Sequence, residues 1–396
     1  MKNIFDILNP RDCCGCGACV NSCPTGALSY SMDEYGFYRP QIDNSKCISC
    51  GKCSRTCPEC NDLPINQPLD VYAAINKDFA VLTRSASGGI FYALAESVIA
   101  EGGCVFGAML DGQFQVKHIC VEKIENLPLL QKSKYVQSFI GNSYKIALDK
   151  LKNGQKVLFS GTPCQVAAMK SFARESCENL ILVEVVCHGI PSQKMFNDYV
   201  KNLEKENGTL KEYIFCYKRK ILNGMNKFLF YRTERIKHVK NWPQDSYHTF
   251  FMESKNYQEC CYTCKFARAK RVADLTLCDY WSWENYHRSD FSIGSTVSGI
   301  CVNTVQGKTA LEKILPKLNI AKSSFESLSR HNGCLIMPTT RPLLRNSFMD
   351  EWLSKGYPFI ENRYKKDSRF RILRSHLLML LPENLKIWVH GLRHGN

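Results

Sequence analysis

The sequence predicts an α+β module at the N-terminus, followed by an α/β body with a mixed sheet. Three observations support this fold class. Ten of the 22 cysteines precede residue 61. After Asp70, strand-like apolar runs alternate with helix-like runs, which is typical of α/β proteins. Some runs are joined by short turns, which predict antiparallel hairpins within the sheet. A chain of 396 residues is long enough for two or three domains.

Two cysteine runs repeat the pattern C-x2-C-x2-C-x3-C-P near the start of the chain. They are Cys13, Cys16, Cys19, Cys23 and Cys47, Cys50, Cys53, Cys57. This is the spacing of bacterial two-cluster ferredoxins, in which the fourth cysteine of each run ligates the cluster of the other run. We therefore assign one 4Fe–4S cluster to Cys13, Cys16, Cys19 and Cys57, and another to Cys47, Cys50, Cys53 and Cys23. The alternatives are a disulfide framework and two zinc sites.

The cysteine runs define a predicted ferredoxin-like domain over residues 1–62. Between them, Glu34–Pro40 predicts a short hairpin. Residues 63–70 form a predicted linker, because two prolines with polar spacers lie in Asn61–Asp70.

In the body, predicted strands alternate with predicted helices. We divide the body into residues 71–150 and 151–335, and a basic helical extension follows at 336–396. Leu180–Val186 is a continuous β-branched run, typical of a strand buried on both faces. The other predicted strands are Val71–Ile75, Cys104–Leu110, Phe114–Val121, Lys156–Ser160 and Gly299–Thr304. The predicted helices are Ile90–Ala100, Tyr144–Leu151, Pro163–Phe172, Lys194–Glu206 and Thr309–Leu318. Asn223-Gly224 predicts a two-residue hairpin turn.

The net charge of +15 suits an anionic partner. Basic residues concentrate in Lys211–Lys240, which would attract an acidic electron-donor protein such as a ferredoxin, or a polyanionic substrate; a solvated hairpin is the alternative. No nucleic-acid-binding motif accompanies them, so we predict no nucleic-acid partner. The tail Arg369–His390 predicts a surface helix, broken at Pro382, or a peripheral membrane contact.

The start of the chain, Met1–Pro10, has no apolar signal-peptide core. No stretch reaches the roughly 18 apolar residues that span a bilayer. With so many cysteines, we expect a reducing, cytoplasmic location.

Three turns in the body, which contain glycine, cysteine or both, suggest cofactor contacts. Ser85–Gly89 precedes a helix whose N-terminus would suit a phosphate, or Ser85–Gly89 is a plain helix cap. Gly161–Gln165 places Cys164 at a strand-to-helix turn, where ligands collect in α/β sheets. Cys187 directly follows the buried strand. Both thiols are candidate ligands, or buried inert cysteines.

Cys261-x2-Cys264 is half of a metal site. Cys187 is the first choice for a third ligand, and Cys164 and Cys260 compete for the remaining place. The result is a third 4Fe–4S cluster, a zinc site or no metal. Lys134 could hold a phosphate or a flavin carbonyl, or be a solvated loop lysine. Tyr280-Trp281 could stack on a flat ring or belong to the core.

In this order, the body motifs resemble the beta-subunit family of coenzyme F-420 hydrogenase/dehydrogenase. The matching segments are Ser85–Gly89, Lys132–Ser138, Gly161–Gln165, Cys187–Ser192, Cys261–Cys264, Ala273–Trp281 and Gly294–Thr304. The resemblance implies a flavin, usually FAD, and at least one cluster in the body. Flavin contacts carry over to Ser87, Gly88, Gly89, Lys134 and Thr162, and cluster ligands to Cys187, Cys261, Cys264 and Cys164. Relatives often have Gly at Cys278 and a further Cys near Asn256, so the fourth ligand stays open between Cys164 and Cys260.

The sequence thus predicts a ferredoxin-linked, flavin-dependent oxidoreductase. Electrons would pass between the clusters and the flavin, then to or from a ring-type acceptor such as a deazaflavin. One alternative is a non-catalytic electron-transfer subunit that serves a partner enzyme, for example in surface-polysaccharide biosynthesis. Another is a maturation or interaction protein with structural clusters. No residue is assigned a catalytic role, and the substrate stays open.

Overall fold

The N-terminal segment folds as two similar halves. The computed structural model describes residues 2–174, 178–221 and 224–380. Its first elements are α1 (Ala18–Ser22), β1 (Leu28–Met32), β2 (Tyr38–Ile42) and α2 (Lys52–Thr56). Each helix begins after a left-handed glycine, at φ 76° for Gly17 and 66° for Gly51, and ends at the last cysteine of its run. β1 and β2 pair antiparallel, so the predicted hairpin is confirmed; Glu34–Pro40 supplies its turn and the start of β2.

An eight-stranded mixed sheet organises the body, which confirms the α/β class. Its strands are β3 (Asp70–Asn76), β4 (Cys104–Leu110), β5 (Val116–Val121), β6 (Val157–Gly161), β7 (Leu180–Val185), β11 (Leu275–Asp279), β12 (Ser298–Val302) and β13 (Leu318–Ser323). The order across the sheet is β13-β3-β12-β11-β7-β6-β4-β5. The central strands β4, β6, β7 and β11 are parallel, and the outer ones pair antiparallel. The parallel centre brings the loops after β6 and β7 to one edge.

Helices cover the sheet and extend beyond it. They are α3 (Phe79–Arg84), α4 (Ile90–Ala100), α5 (Ser143–Lys152), α6 (Pro163–Ala173), α7 (Gln193–Asn207), α8 (Ser246–Met252), α9 (Glu284–His287), α10 (Val305–Glu312), α11 (Phe325–Ser329), α12 (Arg345–Lys355), α13 (Tyr357–Asp367) and α14 (Arg369–Leu380).

The predicted helix Thr309–Leu318 is wrong at both ends. The helix α10 begins earlier because the Thr304 side chain accepts a hydrogen bond from the backbone N–H of Gly307 and caps it. It ends at Glu312, Pro316 follows in a short 3-10 turn, and Leu318 opens the edge strand β13. The sequence prediction missed both the cap and this strand.

A second, three-stranded antiparallel sheet stands beside the main one. It contains β8 (Leu210–Ile221), β9 (Gly224–Thr233) and β10 (Lys237–Lys240). The Asn223-Gly224 hairpin is confirmed by the β8–β9 pairing, while residues 222 and 223 lie outside the described ranges. Aromatic side chains of α7 and β8 form a core with α12 and α13, including the fully buried Trp352. The region 336–380 is therefore packed into the body.

The helix predicted for the tail is confirmed from Arg369 to Leu380. Helix α14 packs through the Arg371 guanidinium, which pairs with Glu253 at 2.7 Å and lies over the Trp242 ring. Phe370, Leu373 and Leu377 face solvent. The remaining residues, 381–396 with Pro382, lie outside the described ranges. Within those ranges we find no helix with the length and apolar character that crossing a bilayer demands.

A buried ion pair anchors the centre of the sheet. Glu184 at the end of β7 lies 3.3 Å from the Arg271 guanidinium, and both side chains are only 1% exposed. Arg271 also donates to two backbone carbonyls, and Thr276 on β11 donates to Glu184 at 2.8 Å. The pair therefore joins β7, β11 and the segment that precedes β11.

We expect Arg271→Met to lower the free energy of unfolding by about 3 kcal/mol, because it leaves the Glu184 carboxyl buried without its partner. Urea unfolding under anaerobic conditions measures this loss. Lys211→Met, which removes an exposed pair with Glu234, is the control and should leave the midpoint unchanged. Equal effects of the two variants would contradict the role of the buried pair.

Candidate functional site

The first N-terminal set of cysteines, Cys13, Cys16, Cys19 and Cys57, lies together against the body. Burial raises the pKa of the Cys19 thiol well above its usual value, and the nearby Cys13 and Cys57 thiols add to the rise. A hydrogen bond from Cys14 favours the Cys16 thiolate, yet burial and the neighbouring Cys57 and Cys19 still raise its pKa to about 11. The last cysteine of the second run thus lies beside the first run, as the crossed ligand assignment requires.

The second N-terminal set, Cys23, Cys47, Cys50 and Cys53, lies nearer the surface. Cys23, Cys47 and Cys50 are partly exposed, and Ile48 between them is 64% exposed. Thr25 links the two runs here, because its hydroxyl lies 3.7 Å from the Cys23 sulfur and donates to the Lys46 carbonyl at 2.9 Å. The two sets therefore differ in depth.

The body cysteine set, Cys164, Cys187, Cys261 and Cys264, gathers four thiols from three separate segments. Burial raises the pKa of Cys187, and the Cys261, Cys164 and Cys264 thiols raise it further. Cys264 likewise has Cys164 and Cys261 as neighbours. Cys260 instead contacts its sequence neighbour Cys261. The proximities favour Cys164 over Cys260 as the fourth member.

Local backbone geometry explains this convergence. Cys164 lies in the first turn of α6 and Cys187 directly follows β7, so two parallel neighbours deliver both thiols to one edge of the sheet. The Gln258 N–H bonds to the Ile190 carbonyl at 3.1 Å and holds the Cys261 segment beside them. A Cβ at Gly189 would lie 2.0 Å from the Tyr257 ring, so this approach needs glycine.

The donor set of all three cysteine groups is thiol only, which suits iron–sulfur clusters. Among the described residues, no group of three or more His, Cys, Asp or Glu side chains is close enough to hold one metal ion. A zinc site gathers four ligands around one ion. In a 4Fe–4S cluster each thiolate binds its own iron, so its ligands stand farther apart.

The Ser85–Gly89 loop enters α4 without a side-chain cap, since Gly89 occupies the N-cap at φ 81°. Gln131 lies against this loop, donating to the Ser85 hydroxyl at 3.0 Å. The Gln131 side-chain oxygen is buried and has no hydrogen-bond partner in the described structure. An open helix N-terminus and an unpaired buried polar atom fit a polar ligand at this position.

Lys134 is held beside the same loop by backbone oxygens. Its ammonium donates to the carbonyls of Gln131 at 2.6 Å, Leu129 at 3.2 Å and Lys132 at 3.3 Å. Burial, followed by the nearby Lys132 charge, lowers its pKa to about 7. Lys134 is therefore not a solvated loop lysine.

Lys218 on β8 was missed by the sequence prediction, which placed it on a basic surface. It is 5% exposed and donates to the carbonyls of Ser87 and Leu82 and to the Thr296 hydroxyl at 2.5 Å. Burial and the neighbouring Lys227 lower its pKa to about 8. The alternating inward and outward positions of a strand were the available signal, but the partner of the inward face was not readable from sequence.

Thr162 lies at a different site from the one expected, and Tyr280 takes the second of its two alternatives, a place in the core. Thr162 caps α6, and its hydroxyl lies 3.2 Å from the Cys164 sulfur, so it belongs with the body cysteine set. Tyr280 is a core residue whose hydroxyl bonds to Ser323 and Ser327. Trp281 is 47% exposed beneath the Lys227 ammonium.

Comparison with known proteins supports iron–sulfur clusters in the N-terminal segment. Residues 12–60 match the family described as 4Fe-4S dicluster domain. Residues 154–327 match the family described as the C terminus of the coenzyme F420 hydrogenase/dehydrogenase beta subunit. No curated protein matches the chain.

Among solved structures, the chain is similar to one from the xenon-derivatised F420-reducing [NiFe] hydrogenase complex of Methanosarcina barkeri. The identity is 18%, the match covers 76% of this chain and 94% of that chain, and the TM-score is 0.47.

The cysteine sets and the dicluster match define an iron–sulfur electron-transfer protein. The match of residues 154–327 confirms the resemblance to the coenzyme F420 hydrogenase/dehydrogenase beta subunit that the motifs indicate.

The lowered pKa of Lys134 makes stability depend on pH. In the unfolded chain this lysine stays protonated up to its usual pKa, whereas the folded form releases the proton near pH 7. Above pH 7 the unfolded state binds more protons, so this group makes folding more favourable as pH rises. We expect the stability of Lys134→Met relative to the native chain to fall by roughly 1 kcal/mol per pH unit between pH 7 and 8.5.

Urea unfolding at several pH values measures that difference. Lys145→Met, at an exposed position on α5, is the control and should differ from the native chain by a constant amount. A pH-independent difference for Lys134→Met would show that the ammonium is solvated.

Proposed function

We propose that this chain is an iron–sulfur flavoprotein oxidoreductase in which three cysteine sets form a series from the N-terminal segment into the body. The convergence of four thiols in the body cysteine set carries the proposal. A 4Fe–4S cluster exchanges one electron, and a flavin exchanges two as a hydride equivalent. The chain supplies the ligands and their order in space.

The order of the sets follows their contacts with the body. Three cysteines of the second N-terminal set are partly exposed, whereas Cys16 of the first set packs against Tyr144 and Phe159 of the body. The body cysteine set comes next, because Cys164 packs against the same buried cluster as Cys16. His188 follows Cys187. Burial lowers the pKa of His188, and the nearby Asp279 carboxylate opposes this shift. Asp279 in turn pairs with Lys227 at 2.5 Å. The sequence of groups thus leads from the body cysteines toward the lysines around the Ser85–Gly89 loop.

The Ser85–Gly89 loop is the proposed flavin contact, with Ser87, Gly88, Gly89 and Lys134 as predicted and Lys218 added. The Lys218 ammonium is buried and the Lys134 ammonium is partly buried. Neither pairs with a carboxylate among the described residues, which favours an anionic ligand there. Thr162 instead would orient Cys164. FAD and the ring-type acceptor, a deazaflavin or another, remain parts of this proposal.

A non-catalytic subunit that hands electrons to a partner enzyme is the second candidate, and the match to a beta-subunit domain favours it. Purified chain that reduces a deazaflavin or flavin-type dye by itself supports the oxidoreductase. Strict dependence on a second protein supports the subunit role. A partner in surface-polysaccharide biosynthesis and membrane contact through the tail stay predictions.

We expect anaerobically purified chain to contain about twelve irons and one FAD. Cys164→Ser should lower the iron to about eight, because it removes a ligand of the body cysteine set. Cys260→Ser is the matched control and should keep about twelve. Iron, sulfide and flavin analysis measures this. Eight irons in the native chain would refute the body cluster. If Cys260→Ser alone lost iron, Cys260 rather than Cys164 would be the fourth ligand.

Electron entry is proposed at the second N-terminal set rather than at the basic segment Lys211–Lys240. Lys218 and Lys227 of that segment point inward, and Lys211 and Arg232 pair with Glu234 and Glu212. The exposed Ile48 lies between Lys46, which pairs with Asp43 at 3.0 Å, and the exposed Lys52. This face suits an acidic one-electron carrier.

Lys52→Glu should raise the KM for a reduced acidic ferredoxin several-fold at low salt, because it reverses one charge of the docking face. The rate with dithionite, which needs no docking, should stay unchanged. Lys237→Glu, at an exposed position on β10, is the control for the basic segment. A larger effect from Lys237→Glu would return the entry surface to Lys211–Lys240.

A further inference from the structure

A segment of the C-terminal extension, residues 336–344, crosses the body beside the body cysteine set. It lies beyond the matched residues 154–327. In the structure it forms turns but no helix or strand, and it contains Pro338 and Pro342, whose rings restrict its backbone. We call this segment the clasp. Its contacts reach two of the three segments that supply the body thiols.

The first contact of the clasp is with the segment that carries Cys187. The Thr339 hydroxyl donates to the carbonyl of His188, the next residue, at 2.5 Å. The same hydroxyl lies 3.4 Å from the Cys334 sulfur. The Arg271 guanidinium in turn donates to the Cys334 carbonyl at 3.0 Å. Thr339 therefore ties the backbone after Cys187 to a stretch that the buried ion pair of the sheet holds in place.

The second contact of the clasp is with the 3-10 turn Glu259–Thr263, which carries Cys261. The Arg341 guanidinium binds both carboxylate oxygens of Glu259, at 2.6 Å and 3.3 Å. Arg345, which begins α12 directly after the clasp, lies 3.4 Å from the same carboxylate and donates to the Tyr257 carbonyl at 2.7 Å. A two-pronged pair of this kind fixes direction as well as distance.

The body cysteines differ in how firmly the sheet supports them. Cys187 directly follows β7, which pairs with β6 and β11. Cys261 lies in a short 3-10 turn outside the sheet, and turns of this length have weak hydrogen bonds of their own. In a 4Fe–4S cluster each thiolate binds its own iron, so movement of the turn would withdraw one ligand. The contacts of the clasp oppose that movement.

We propose that Thr339 and Arg341 are positioning residues that hold two thiol-bearing segments at a fixed separation and so retain the cluster of the body cysteine set. This inference rests on the proposed function, in which these thiols are cluster ligands. Thr339 acts on the segment after β7, and Arg341 acts on the turn that carries Cys261. Because the two residues stand two positions apart between prolines, a shift of one segment is resisted by the other.

Arg341→Met should speed the loss of iron from the body cysteine set to a chelator such as bathophenanthroline by roughly fivefold, because it removes the ion pair with Glu259. About four irons should leave early, and the other eight should stay. Anaerobic release followed by absorbance measures the rate, and electron paramagnetic resonance identifies the lost cluster. Thr339→Val keeps the shape without the hydroxyl and should also speed the loss. Arg341→Lys keeps the charge and should bring the rate part of the way back.

Arg363→Met is the matched control. The Arg363 side chain is 41% exposed, against 33% for Arg341, and it pairs with Glu351 of α12 in the same extension. This variant should release iron at the native rate. Equal rates in Arg341→Met and the native chain would overturn the proposal. Loss of all twelve irons at one rate would also overturn it, because that would be a general loss of stability.

A native chain with only eight irons would refute the body cluster of the proposed function, and its body thiols would then be free to react. Alkylation by iodoacetamide, located by mass spectrometry, tests the clasp separately in that case. Arg341→Met should alkylate Cys261 roughly fivefold faster than the native chain, while Arg363→Met should match the native rate. Equal alkylation in all three chains would show that the clasp does not hold the turn.

Discussion

The burial of closely placed thiols is the constraint on which this structure depends, because it makes their charged thiolate forms costly. Burial raises the pKa of the Cys19 and Cys187 thiols, and neighbouring thiols raise it further. An uncompensated thiolate there would be costly, whereas bound iron would balance its charge. The cysteines come from both the N-terminal segment and the body, so cluster binding would favour the docking of one on the other.

The mixed sheet supplies the rigid edge for this docking. Strands β6 and β7 end side by side and present Cys164 and Cys187, while the Glu184–Arg271 pair fixes β11 and the segment before it. Loops alone would not hold these three separate segments together. The strands beneath the body cysteine set therefore fix its position, while its thiols lie at the ends of strands and in loops.

The basic residues of the chain have different roles. The net charge of +15 suggests one basic surface. In the structure, Lys218 of β8 instead points toward the Ser85–Gly89 loop, where carbonyl oxygens surround its ammonium, and Lys227 of β9 pairs with Asp279. A ligand that brings negative charge would lower the free-energy cost of burying the Lys218 ammonium.

The sequence by itself determined the local features: the two cysteine runs, the helix at Ile90–Ala100 and the buried strand that begins at Leu180. Spacing and periodicity are local properties. It also predicted the α/β class. Only the tertiary structure decided that Cys164 rather than Cys260 joins Cys187, and that Lys218 points inward. These outcomes depend on contacts between separate segments of the chain, such as Lys218 with Ser87 at a separation of 131 positions, which no local pattern encodes.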